Sequence, residues 1–113
     1  MKIIRDTITF DELNEMAGKS FGQLVKAVVD IEKEIMVVDA ELHADQEALL
    51  LEEGSDQNNL WGINLYPREE GERFIEFDSM INLRPSQGNR SRGVEDQEIR
   101  RRIISLINKL AKK

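Results

Sequence analysis

Apolar residues in "SFGQLVKAVVDIEKEI" recur at Phe21, Leu24, Val25, Val28, Ile31 and Ile35, a spacing that predicts a helix with one buried face. A second helical rhythm closes the chain. In "EDQEIRRRIISLINKLAKK" the apolar positions are Ile99, Ile103, Leu106, Ile107 and Leu110, with acids first and lysines last, as a helix dipole favours. Near the start, "TFDELNEMAGK" sets Thr9 three residues before Glu12, the capping-box signature of a helix N-terminus, and Gly18 is expected to interrupt that helix. "KIIR" is a short strand candidate. Four further runs, "MVVDAELHA", "EALLLEE", "NLWGINLY" and "RFIEFDSMINLR", are short and bounded by turn-rich "DQ", "GSDQN" and "PREEGE", so they read as four consecutive strands.

Helices before and after a block of strands imply an α+β domain spanning residues 1–113. The expected architecture is an antiparallel four-stranded meander with helices before and after it packed on one face, the other face being open. Side chains alternate along a strand, so Ile75, Phe77, Ser79, Ile81 and Leu83 should fall on one side, and Glu76, Asp78, Asn82 and Arg84 on the other with Met80. The first meander strand agrees, setting Val38, Ala40, Leu42 and Ala44 against Asp39, Glu41, His43 and Asp45. The open face is therefore expected to be polar, with His43, Asn64, Glu76, Asp78 and Asn82 on it. The "LLL" of the second strand is apolar on both sides and decides nothing.

Charge changes the picture more than composition does. Residues 1–83 hold 7 basic against 19 acidic side chains, a net of −12, whereas residues 84–113 hold 9 against 3, a net of +6. The acidic total argues against a general nucleic-acid coat, yet a basic end can still hold phosphate, because screening confines repulsion from distant carboxylates to about 8–10 Å. The chain has no cysteine, which removes disulfides, thiolate nucleophiles and sulfur-ligated metals together. No apolar run approaches the roughly 20 residues of a bilayer span, and "MKIIRDTITF" does not resemble a signal peptide, so a cytoplasmic protein with no membrane partner is expected.

The run from "ELHADQEALLLEEGS" through "LWGINLYP" to "FIEFDSMINLRPSQGNRSRGVED" resembles a family of small prokaryotic proteins known only as a domain of unknown function. The resemblance covers nearly the whole chain. It implies one compact domain and supplies no catalytic residue, cofactor or substrate.

The candidate chemistry lies in two places. In "INLRPSQGNRSRGV", Arg84 precedes Pro85 and should be extended, and the chain can turn at Gly88 and Gly93. Arg90 and Arg92, two residues apart, would then project to one side, and their guanidinium forks suit a phosphate or carboxylate. Ser86, Gly88 and Asn89 would add hydroxyl, amide and nest-like backbone donors. The loop should be ordered, beside the polar face and the start of the last helix. Its other use is an internal ion-pair network or a homodimer contact. The second place is "ELHAD", where Glu41, His43 and Asp45 share one face if the run is a strand. Those residue types suit a divalent metal or acid–base hydrolysis, although three ligands from one strand need a bend or help from Glu76 or Asp78. Ser79, Ser86 or Ser91 with His43 and Asp78 supply the residue types of a hydrolase without its spacing. The favoured expectation is a small binding module, without a cofactor, that takes an anionic small molecule on the arginine loop and the polar sheet face. Nucleic acid is the less favoured partner, since only Tyr66 is available for stacking on bases. The alternative is a metal-assisted or acid–base hydrolase built on Glu41, His43 and Asp45.

Overall fold

A computed structural model describes all 113 residues. It opens with β1 (Lys2–Ile4) and β2 (Ile8–Thr9), and Thr9 then caps α1 (Phe10–Lys19). The cap is reciprocal, because the Glu12 amide donates to Thr9 Oγ1 and the Thr9 amide donates to the Glu12 carboxylate, each at 3.1 Å. The helix predicted over 21–35 is instead a hairpin of β3 (Val25–Asp30) and β4 (Ile35–Val38). Asp30 builds its turn: one carboxylate oxygen accepts from the amides of Glu32 and Lys33, both at 2.9 Å, and the other accepts from Ser55 Oγ at 2.6 Å.

The two strands predicted from "MVVDAELHA" and "EALLLEE" do not form. Only Met36–Val38 of the first is strand, residues 39–42 are a connection, and α2 (His43–Glu52) takes the last two residues of the first run and all but the last of the second. The inward positions of α2 are His43, Gln46 and Leu50, a helical spacing, but two of the three are polar, so apolar periodicity did not reveal it. Each donates to the sheet: Gln46 Nε2 to the Lys26 carbonyl and His43 Nε2 to that of Ile63, both at 2.8 Å, while Gln46 Oε1 is buried without a partner. β5 (Leu60–Leu65) follows as expected, whereas β6 is only Ile75–Glu76, and the chain after it folds into a single helical turn at Met80–Asn82. α3 (Gln97–Leu110) starts on the Asp96 carboxylate, which accepts from the amides of Glu98 and Ile99. Finally β7 (Ala111–Lys112) runs parallel to β2 as a two-stranded pair.

The fold is thus mixed α+β with an antiparallel sheet of five strands rather than four, in the order β1-β4-β3-β5-β6. Alternation along the strands sorts the interior into two apolar clusters. Val25, Ala27 and Val29 join Met36, Val38 and Ile63 in a cluster with Leu13 and Ala17 of α1 and Ile103, Leu106, Ile107 and Leu110 of α3. The intervening Val28 and Val37 join Ile35 and Leu60 in a smaller cluster with Leu50 of α2, and Ile81 packs against it. The face expected to be open is therefore covered in part. α2 lies over one half of it and the 79–83 segment over the other.

Candidate functional site

The gap between these two covers is a cleft of about 580 Å³. Its floor is set by strand register. Lys26 on β3 lies opposite Asn64 on β5, which lies opposite Glu76 on β6, so the three side chains form one row across the same sheet face. One wall is the start of α2 with Leu42, His43 and Ala44, and the other is Asp78, Ser79, Met80 and Ile81 with Arg92 beyond them.

Each polar group here has a defined state. A carbonyl only accepts, so His43 Nε2 carries the proton in its bond to Ile63, and in the neutral ring Nδ1 holds the lone pair. Burial holds His43 below the usual histidine range, and Lys26 and Arg92 push in the same direction, against the Ile63 carbonyl and the Asp78 carboxylate. Asn64 Nδ2 donates to Glu76 Oε1 at 2.8 Å and to the Asp78 carbonyl at 3.2 Å. Glu76 Oε1 also accepts from Tyr66 Oη at 3.2 Å; burial and that carboxylate push the phenol upward. Arg92 Nε donates to Asp78 Oδ1 at 2.6 Å across the rim. Lys26 has no carboxylate partner, its ammonium lying 5.4 Å from the Phe21 ring centroid. Leu42 occupies the N-cap of α2 with no side-chain cap, leaving the first amides of that helix unclaimed by any side chain. The Asn64 side-chain oxygen, Oδ1, is buried and has no partner in the protein.

The rim is apolar. Phe21, Leu42 and Met80 stand 45%, 56% and 61% exposed around the polar floor. A larger cleft of about 870 Å³ lies at the far edge of the sheet, between β6 and α3. It is floored by Phe10, Phe74 and Phe77, and its Arg100 is already stacked 4.2 Å over Phe77 and bonded to the Val94 carbonyl. No buried polar group points to a ligand there, so the smaller cleft is the candidate site.

The structure gathers His43, Asn64, Glu76 and Asp78 in this cleft, but His43 arrives from a helix rather than a strand. Asn82 does not line it. It lies beneath, where β6 has stopped and the outer edge of β5 has lost its partner. Asn82 Oδ1 accepts from the Gly62 amide at 2.8 Å and Nδ2 donates to the Gly62 carbonyl at 2.9 Å, so one side chain replaces a strand.

The arginine loop divides. Arg84 points away from the cleft: it donates to the carbonyls of Gln57 and Leu60 and stacks 4.2 Å over Trp61, and burial draws its pKa down. Asn89, 4% exposed, fastens the loop by donating to the carbonyls of Asn82, Ser91 and Gly93. Its Oδ1 accepts from the Glu95 amide at 2.9 Å, which ties the loop to the start of α3. Gly88 takes φ +85°, and Ser86 and Arg90 are exposed. Arg92 alone among the three arginines borders the cleft. The one-face arrangement of Glu41, His43 and Asp45 is overturned, because alternate residues at the start of a helix diverge. Glu41 and Asp45 are exposed while His43 is buried, and no group of three His, Cys, Asp or Glu residues is placed to hold a metal ion.

Sequence reasoning missed Lys26, which lay inside the predicted helix. Its signal was a single lysine in the otherwise apolar run "LVKAVV", where strand alternation sets it opposite Val25 and Ala27.

The model for a family described as protein of unknown function (DUF5674) matches residues 2–110. No curated protein and no solved structure matches the chain. With a match over almost its whole length, the chain belongs to the DUF5674 family.

Proposed function

We propose that the chain is a small binding module and that the cleft between α2 and the 78–81 segment receives an anionic group, a carboxylate or phosphate, on a small molecule. The carrying observation is the convergence of unpaired donors at one end of the cleft: the Lys26 ammonium and the uncapped first turn of α2, with Arg92 across the rim. A helix start with free amides attracts negative charge, and a lysine beside it adds a full positive charge in a partly desolvated place. The arginine loop acts here mainly as scaffold. Its Asn89 and Arg84 fix the path of the chain, and only Arg92 is presented to the ligand.

The test is an amide chemical-shift titration with inorganic phosphate and with acetate at constant ionic strength. Saturable movement of the His43, Ala44 and Lys26 amides is expected. Movement confined to the exposed Arg90 region, or none, overturns the assignment of the cleft.

A further inference from the structure

The unsatisfied groups of the cleft are of two opposite kinds. At the β3 and α2 end they are donors, the Lys26 ammonium and the first amides of α2. Between Lys26 and Glu76, on β5, the unsatisfied group is an acceptor. Asn64 is only 6% exposed and lines the cleft, yet its Oδ1 has no partner. Its orientation is fixed by the Nδ2 bonds to Glu76 and Asp78, so exchanging the amide atoms is no remedy. A buried acceptor left unpaired is costly, and Glu76 on the Nδ2 side of Asn64 makes the β6 end negative. With His43 neutral, Lys26 and Arg92 balance Glu76 and Asp78, so a ligand with one charge leaves the opposite end without a counterpart. Neighbouring strands lie about 4.8 Å apart, which places the Lys26 and Glu76 backbones roughly 10 Å apart, enough for a short dipolar molecule between the two side chains.

We infer that the cleft takes a small zwitterion with an apolar substituent, the class of an aliphatic amino acid. Its carboxylate faces Lys26 and the start of α2, its ammonium donates to Asn64 Oδ1, and its side chain lies against Phe21, Leu42 and Met80. This rests on the anion reading for the carboxylate end only. The ammonium end is independent of it.

The experiment compares three probes by amide chemical-shift titration of the full chain: L-leucine, isocaproate, which lacks the amino group, and isoamylamine, which lacks the carboxylate. L-Leucine is expected to bind at least about tenfold more tightly than either, since one added bond to an unpaired group is worth around a factor of ten. Isocaproate binding as tightly as L-leucine overturns the zwitterion and leaves the anion reading standing. Isoamylamine matching L-leucine while isocaproate stays silent overturns both, as does silence from all three probes. Lys26→Met, which removes no buried hydrogen bond, is expected to weaken L-leucine and isocaproate by a similar factor and leave isoamylamine unchanged. Unchanged L-leucine affinity in that variant overturns the assignment even if a second variant, Asn64→Ala, fails to fold. In folded Asn64→Ala, L-leucine loses its advantage over isocaproate; a retained advantage overturns the role of Asn64.

Discussion

Lys26 and Glu76 stand at the two ends of one cross-strand row, separated by Asn64, so the candidate cleft is positive at β3 and negative at β6. The Glu76 end has its own readout, since Glu76 Oε1 accepts from the hydroxyl of the chain's one tyrosine, Tyr66. Burial is the first cause that raises the phenol and the carboxylate the second, so Glu76→Gln should bring the tyrosine titration down part of the way. Spectrophotometric titration of the phenolate checks this. An unmoved midpoint means that the contact is absent in solution.

Arg84 and Arg92 should separate cleanly. Arg84→Ala leaves the Leu60 carbonyl without its side-chain donor, takes one of two donors from the Gln57 carbonyl and uncovers Trp61, and should cost about 1–3 kcal/mol in denaturant unfolding. It should change anion affinity little. Arg92→Ala removes an exposed ion pair worth at most about 1 kcal/mol, so stability should hold while phosphate or carboxylate binding weakens. The reverse assignment, a destabilised Arg92→Ala or a ligand-blind Arg84→Ala of full stability, contradicts the division of the loop.

These residues also show what the sequence exposes and what it hides. The Thr9–Glu12 cap and the closing helix were legible because each depends on contacts a few residues apart. The β3–β4 hairpin was not. Both strands are buried on both faces, Val29 against one cluster and Val28 against the other, so the alternation that marks a half-exposed strand is missing. What remained was an apolar run whose spacing fitted a helix by coincidence. Placing it wrongly hid Lys26, while His43, Asn64, Glu76 and Asp78 were singled out for their chemistry. The partition of the arginines depends on Gln57, Leu60 and Trp61, more than twenty positions away, and no local pattern records that.

Gly62 is fixed by what lies on it. A Cβ there would sit 2.5 Å from Ser79 Oγ and 2.6 Å from Ser79 Cβ, so Gly62→Ala must push away the segment that walls the cleft. A cost of about 1–3 kcal/mol is expected, as for other overpacked interiors. Ser79→Gly in the same chain should recover part of it, and a double-mutant cycle in denaturant unfolding measures the coupling. Strictly additive effects contradict the close approach.

Asn82→Ala should be among the most destabilising single changes on this face. It strips the Gly62 amide and carbonyl of their partner at once and frees the Arg92 carbonyl from its bond to Asn82 Nδ2. With each unpaired buried group costing about 1–3 kcal/mol, a loss of roughly 3 kcal/mol or more is expected. Asn82→Asp should not rescue it, because a carboxylate cannot donate to the Gly62 carbonyl and would be a buried charge. A loss below about 1 kcal/mol for the alanine variant is the outcome that contradicts a side chain standing in for a strand.

Stability should also fall as the solution is acidified, for a reason confined to one residue. His43 is the chain's one histidine, and burial holds its folded pKa below the ordinary 6.5. Well above that value both folded and unfolded states carry a neutral ring, and the difference contributes nothing. As pH falls through about 6.5 the unfolded chain takes up the proton first, so unfolding binds protons and the folded state loses stability, by at most about 1.4 kcal/mol per pH unit. The loss ceases to grow once the folded pKa is passed. His43→Gln, whose amide can still donate to the Ile63 carbonyl, should flatten the profile between about pH 7 and 5.5, above the ordinary range of the carboxylates. Urea unfolding at a series of pH values tests this. A wild-type profile as flat as the variant's would show that His43 is not held neutral by its burial in the wall of the cleft.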